Sequence, residues 1–306
     1  MNILLTGANG QLGWELARVL APLGKVASFT RQTLDLADPA AIVAAARSVK
    51  PDLIVNAAAY TAVDRAQTDV ATVHAVNARA PEILAQEARA LNAALIHFST
   101  DYVFDGAKTE PYVETDATAP ASAYGQSKLA GEEAIGASGA AHLILRTSWV
   151  YSARGSNFLL TMLKLAQTKP ELRVVADQIG APTWARMLAE ATVQIIERNG
   201  TAKAALLAGL AQRGGVYHLS AAGSTSWHGF AEAILREAGL TAPVHAITTA
   251  EYPLPAPRPA NSLLSNAKVS QSFGITLPDW SAGLKRCMAE FTGHAEPAAA
   301  AAVTQR

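Results

Sequence analysis

Five short apolar runs in the first 148 residues limit the fold more than any other feature of the chain. They are 2–6 ("NILLT"), 25–29 ("KVASF"), 53–59 ("LIVNAAA"), 94–100 ("ALIHFST") and 142–148 ("HLILRTS"). Between them lie stretches with helical spacing: 11–23, with Leu12, Leu16, Val19 and Leu20 on one face; 39–50, with a proline in its first turn; an alanine-rich 65–91; and 123–135. The runs are nearly continuous rather than alternating, as expected of strands buried on both faces. Strand and helix in strict succession predict a Rossmann-like, doubly wound α/β fold with a parallel sheet.

After residue 150 the rhythm loosens. Helices are expected at 157–168, 183–199, 226–238 and 280–292, and short strands at 172–175 and 216–219. The proline-rich 252–261 ("YPLPAPRPAN") reads as extended and ordered against another element. The expected organisation is a dinucleotide-binding domain over 1–151 and a smaller α/β substrate region over 152–292. Some elements of that region pack back on the first sheet, and 293–306 reads as a flexible tail. Lys+Arg and Asp+Glu balance at 25 each, which argues against a general nucleic-acid or membrane-surface binder. No run reaches membrane-spanning length, and "MNILLTG" lacks the charged start of a signal peptide. A cytoplasmic protein is the expectation. The single cysteine, Cys287, excludes an internal disulfide framework and reads as a small apolar helix residue.

Three signals fall at successive carboxyl ends of these strands, where open α/β sheets bind ligands. The first is Gly7, Gly10 and Gly13, spaced G-x-x-G-x-x-G behind the first strand and opening a helix. Backbone N–H groups and the helix dipole then face an anion, and the missing Cβ atoms let a diphosphate approach. A plain turn fits the glycines alone; their place in the alternation favours a dinucleotide. The second is "STDYVF" at 99–104, whose Ser99 and Thr100 hydroxyls suit either capping the strand end or holding a substrate oxygen. The third is Tyr124 and Lys128, at i and i+4 on one helix face. An ammonium beside the phenol is expected to lower the tyrosine pKa and make it a usable proton donor.

Together these motifs resemble the extended short-chain dehydrogenase/reductases. "NAAAYTAVD", "STDYVFDG", "YGQSKLAGE", "LRTSWVY", "DQIGAPT", "RPANS" and "LPDW" are similar to those of the dTDP-4-dehydrorhamnose reductases within that superfamily, over about residues 1–292. The resemblance implies NAD(P)H-dependent reduction of the 4-keto group of dTDP-4-dehydro-β-L-rhamnose to dTDP-β-L-rhamnose, a donor for bacterial cell-surface polysaccharides. It implies that Tyr124 donates the proton, Lys128 lowers its pKa and holds the nicotinamide ribose, and Thr100 hydrogen-bonds the carbonyl. Asp101 and Trp149 would contact the sugar. Gly10, Gln11 and Leu12 would meet the cofactor diphosphate, Asp35 and Leu36 would flank adenine, and Ala59, Tyr60 and Thr61 would lie along the cofactor. Thr30 and Arg31 stand where an NAD-selective acid would sit, so NADPH is expected to serve, with NADH also accepted.

Arg258 suits either the nucleotide diphosphate or solvent. Trp149 suits either the sugar or a core. Magnesium at a dimer contact occurs in some such enzymes, and Glu15 and Glu190 are available here, but both read as solvated helix residues, so no metal site is expected. A homodimer is allowed but not fixed. The seven histidines show no metal-ligand pairing, and His97, inside a strand, reads as a core residue. Two alternatives stand beside simple reduction. One is another nucleotide-sugar reductase or epimerase. Related 4,6-dehydratases carry Asp-Glu after the threonine, where this chain has Asp101-Tyr102. The other is a non-catalytic dinucleotide-binding subunit, which would be expected to lose members of the set Thr100, Tyr124 and Lys128.

Overall fold

A computed structural model describes residues 1–293. The five apolar runs form strands β1 (Asn2–Thr6), β2 (Lys25–Phe29), β3 (Leu53–Asn56), β4 (Ala94–Thr100) and β5 (His142–Thr147). With Gly215–His218 they make one parallel sheet, ordered Gly215–His218, β5, β4, β3, β1, β2. β1 shows why the runs are continuous. Ile3 and Leu5 enter one core, with the helices Gln11–Leu20 and Ala185–Asn199. Leu4 enters the other, with Pro39–Val49 and Ala80–Ala90. From Ile3 to Thr6 every side chain of this strand is removed from water, so a polar one there is costly without a partner.

The sixth strand and the helices Ala185–Asn199 and Lys203–Arg213 come from beyond Tyr151. Around them sit three two-stranded pairings, Val150–Tyr151 with Thr183–Trp184, Leu172–Val175 with Val244–Ile247, and Ile179–Gly180 with Thr225–Ser226. The proline-rich stretch is held as its composition predicts. Ala256 N–H donates to Asp64, and Asn261 donates to the Lys108 and Glu110 carbonyls.

Two expectations need correction. The single helix at 65–91 is broken into Val63–Ala66, Val70–His74, a π-helical Ala75–Arg79 and Ala80–Ala90. The π segment carries Asn77, whose Oδ1 accepts from Tyr60 N–H and whose Nδ2 donates to the Tyr60 carbonyl and to Ser127 Oγ. Those three bonds fix the loop after β3 to the helix Ala123–Ala137, which a regular turn would not reach. The second is Lys203–Arg213, a helix where none was expected, with Leu206 and Leu210 buried. The tail expected over 293–306 lies outside the described residues beyond Gly293, which ends the last helix.

Candidate active site

The glycine loop joins β1 to the helix Gln11–Leu20 at the carboxyl edge of the sheet. Gly7 has φ +70°, and a Cβ there would press on the Ala58 backbone N at 2.8 Å. A Cβ at Gly13 would collide with the Gly7 carbonyl oxygen. Gly10 N–H closes the turn on that same oxygen at 2.9 Å. The first helical turn carries no side-chain cap and no acidic residue, so its N–H groups face outward without a competing anion. This cradle fits a cofactor diphosphate. Gln11 is tied across it, its Oε1 accepting from Ser152 Oγ at 3.2 Å and Asn157 Nδ2 at 2.8 Å. Leu12 is buried in the core beneath. After β2, Thr30 is half-buried and Arg31 exposed, with Thr30 N–H donating to Thr33 Oγ1. Asp35 accepts from Ala37 N–H, while Leu36 packs into the second core rather than into open space. Ala59 and Tyr60 are half-buried and Thr61 exposed, the Tyr60 hydroxyl donating to Asp69 at 3.1 Å.

Two strands away, β4 ends on Thr100. Its hydroxyl donates to Asp101 Oδ1 at 3.0 Å and accepts from Tyr102 N–H at 3.2 Å, starting the turn Asp101–Val103. The capping reading of this threonine is what these bonds show. Asp101 is buried, its Oδ2 lacks a partner, and burial pushes its carboxyl up to about 6 against the pull of the Ser262 and Thr100 hydroxyls. Ser99 Oγ is buried without a partner. Ser122 caps the next helix by accepting from Gly125 N–H at 3.1 Å, which sets Tyr124 and Lys128 in its first two turns. The Tyr124 ring meets Tyr102 edge-on at 5.5 Å.

The expected electrostatics of this pair are not what the structure has. Burial pushes the Tyr124 phenol up to about 12, with the Thr100 hydroxyl pulling down and the Asp101 charge pushing further up. Lys128 is not what acts on it. Its Nζ is held by the Phe98 carbonyl at 2.7 Å and His97 Nε2 at 3.0 Å, and burial lowers the amine to about 8. Helical spacing put the two side chains on one face; the partners on β4 decided where the long one ends.

Trp149 sits after β5 at φ +49°, a costly conformation for a bulky residue. Its ring stacks on Trp227 at 3.6 Å and lies against Gly180, where any Cβ would strike the indole. Neither partner was marked by the sequence, although "DQIGAPT" held the glycine. Arg258 pairs with Asp64 at 2.8 Å across a cavity of about 400 Å³ lined also by Thr61, Ala62, Val63 and Arg65. It is therefore not solvated, and it borders the loop after β3. Glu15 needs correction as well: it is buried and ion-paired with Arg186, which also meets Glu290. Two acids on neighbouring helices become affordable there because one guanidinium serves both. Glu190 is half-buried and 3.5 Å from Arg286. Among the described residues no group of three or more His, Cys, Asp or Glu could hold a metal ion, and no helix is long and apolar enough to cross a membrane.

The family described as "RmlD substrate binding domain" matches residues 1–292. The chain is 50% identical over 296 residues to a dTDP-4-dehydrorhamnose reductase of Burkholderia thailandensis, covering 94% of this chain and 98% of that one. It is similar to the crystal structure of a dTDP-4-dehydrorhamnose reductase ortholog from Clostridium acetobutylicum, with a TM-score of 0.88 and 36% identity over 95% of this chain and all of that one. A dTDP-4-dehydrorhamnose reductase from Bacillus anthracis, solved in complex with NADP, superposes with a TM-score of 0.87 at 33% identity, covering 94% and 98%.

Proposed function

The chain belongs to the RmlD substrate binding domain family, and from that premise we propose that it reduces the 4-keto group of dTDP-4-dehydro-β-L-rhamnose with NADPH, giving dTDP-β-L-rhamnose. The observation that carries the chemistry is the placing of Thr100 at the end of β4 and of the buried Tyr124 in the first turn of the next helix, two strands from an anion-ready glycine cradle, with the Thr100 hydroxyl pulling the Tyr124 phenol down. The bound cofactor supplies hydride to the carbonyl carbon. Everything else falls to the chain.

Thr100 donates to the keto oxygen and orients it, giving up its bond to Asp101. Tyr124 hands its proton to that oxygen as negative charge builds there. A phenol at about 12 keeps its proton at neutral pH, so it is loaded as a donor before substrate arrives. Lys128 stands one turn away to stabilise the phenolate left behind and to hold the nicotinamide ribose. Gly7, Gly10, Gln11 and Gly13 receive the diphosphate, Thr30 and Arg31 the adenosine 2′ phosphate, and Asp35, Ala59, Tyr60 and Thr61 the length between. Asp101 and Trp149 wall the sugar. Arg258 leaves Asp64 for the nucleotide diphosphate, a guanidinium being suited to two oxygens at once. The region 152–292 supplies the far wall of this cleft. The same reading assigns the enzyme to the cytoplasm.

Tyr102 follows Asp101 where a dehydratase needs a second acid, and burial raises its pKa further from that role, which supports reduction over water removal. The test is loss of NADPH absorbance on adding the enzymatically made dTDP-4-keto sugar, with UDP-linked analogues alongside. Turnover with the dTDP substrate is expected. Oxidised cofactor appearing with none of the 4-keto sugars would overturn the assignment.

A further inference from the structure

A parallel sheet covered on both faces has no water to offer a polar side chain, yet three such side chains cross the middle of this one. Thr6 on β1 pairs in register with Asn56 on β3, and Asn56 with His97 on β4. They are 1%, 0% and 0% exposed. Thr6 Oγ1 donates to Asn56 Oδ1 at 2.6 Å, Asn56 Nδ2 meets His97 Nδ1 at 2.9 Å, and His97 Nε2 meets Lys128 Nζ at 3.0 Å. The row therefore leads from the residue before the glycine loop to the lysine of the active site.

The direction of every bond in it follows from one backbone group. Ala58 N–H can only donate, and it points at Asn56 Oδ1 at 3.3 Å. That atom is thus the carbonyl oxygen, and Asn56 Nδ2 is a donor. His97 Nδ1 must accept from it. A neutral imidazole accepting at Nδ1 carries its hydrogen on Nε2, so His97 donates to Lys128 Nζ. An ammonium has three hydrogens and no lone pair; it would set N–H against N–H. An amine fits, accepting from His97 and donating to the Phe98 carbonyl at 2.7 Å.

We propose that Thr6, Asn56 and His97 form a positioning row that fixes Lys128 in place and favours its uncharged amine in the ligand-free protein. The proposal deepens the reductase reading and rests on it for the role of Lys128. The titratable groups acting on the lysine agree with it. From β4, His97 is itself driven well below its ordinary pKa, chiefly by burial, so it stays neutral. From its own helix, Glu132 pulls the amine upward, but Arg146 of β5 holds that carboxylate in a two-pronged bond at 3.0 and 2.6 Å. Burial outweighs it and leaves Lys128 at about 8. The row therefore tilts the balance: the amine takes over above about pH 8, well before an exposed lysine would lose its proton. His97 was legible only as a core residue because its partners lie on another strand and on a helix, 41 and 31 positions away.

The experiment is a ¹⁵N titration of the whole ligand-free protein labelled at lysine Nζ, with Lys128→Arg assigning the signal. The wild-type Lys128 resonance is expected to titrate near 8, roughly two pH units below the exposed lysines. His97→Leu removes the donor and should move the midpoint up by roughly one unit or more. Where that variant fails to fold, Asn56→Asp serves. Its carboxylate accepts from His97 Nδ1, turns Nε2 into an acceptor, and moves the midpoint in the same direction. The alkaline limb of kcat/KM should shift with it in either variant. Lys128 titrating with the exposed lysines, or keeping its midpoint in a folded variant, overturns the proposal. Because the titration needs no turnover, a protein inactive on the keto sugar but with an early-titrating Lys128 would remove the reductase reading and leave the row standing.

Discussion

At the scale of single residues, the site divides into groups that hold protons and groups that aim them. Tyr124 is the donor, so Tyr124→Phe should lower kcat by roughly 100-fold or more while leaving NADPH binding nearly unchanged, as isothermal titration would read. Wild-type turnover in that variant would take the phenol out of the chemistry. Arg31 is exposed at the end of β2 with no carboxylate before Asp35. Arg31→Ala is expected to lower kcat/KM for NADPH by about 10-fold, one charge-assisted contact of roughly 1.5 kcal/mol, and to spare NADH. An equal fall for both cofactors would show that it does not read the 2′ phosphate. Thr100, Tyr124 and the glycines were legible because each is bound to a motif whose spacing reflects one local element. The resting place of Lys128 was not, since its reach of several bonds is settled by Phe98 and His97, which no helical period connects to it.

At the scale of elements, the loop between β1 and its helix shows how little space the cradle has. A methyl group at Gly13 meets the Gly7 carbonyl, and Gly7 itself is pinned by Ala58. Gly13→Ala should therefore raise the NADPH Kd by more than about tenfold and cost about 1–3 kcal/mol of stability by overpacking, read from urea unfolding with and without cofactor. Unchanged affinity would mean that the loop relaxes freely. All five strands of the first half were readable: burial on two faces leaves continuous apolar runs in β1, β3, β4 and β5, while β2, at the sheet edge and only partly buried, was read from its place in the alternation. The break near 67–69 was not. Alanine-rich sequence favours helix around it, while Gln67 at the break accepts from Ala123 N–H, a tertiary contact like those of Asn77 with Tyr60 and Ser127 further on. The sequence also placed Trp149 at the site's edge without its stacking partner, since Trp227 lies 78 positions later on an element of another pairing.

At the scale of the molecule, buried titrating groups set the response to acid. His218 donates from Nδ1 to the Tyr112 carbonyl, leaves Nε2 buried and bare, and is driven down to about 3, chiefly by burial and then by Arg146. Between about 3 and its ordinary 6.5 the unfolded chain holds a proton there that the native one lacks, so stability falls as pH drops through that window. His97 acts in the same sense. Asp101 opposes them: with its folded value near 6 and an ordinary value of 3.8, the native state holds the extra proton between those limits and gains on acidification. Two histidines outweigh one carboxyl, so Tm is expected to fall from pH 6.5 towards 4, and His218→Gln should flatten that slope. A Tm rising over this range would contradict the balance. The sheet itself carries a consequence for how the protein is made. Its sixth strand, Gly215–His218, pairs with β5 but leaves the ribosome some 70 residues after it. Throughout that interval of vectorial synthesis β5 presents a bare row of amides and carbonyls, and the helix that roofs β1, Ala185–Asn199, is still arriving. A nascent chain stalled before residue 218 is thus an unfinished ladder open to any strand nearby, and prompt elongation past that point is part of what keeps the molecule from pairing with its neighbours on the polysome.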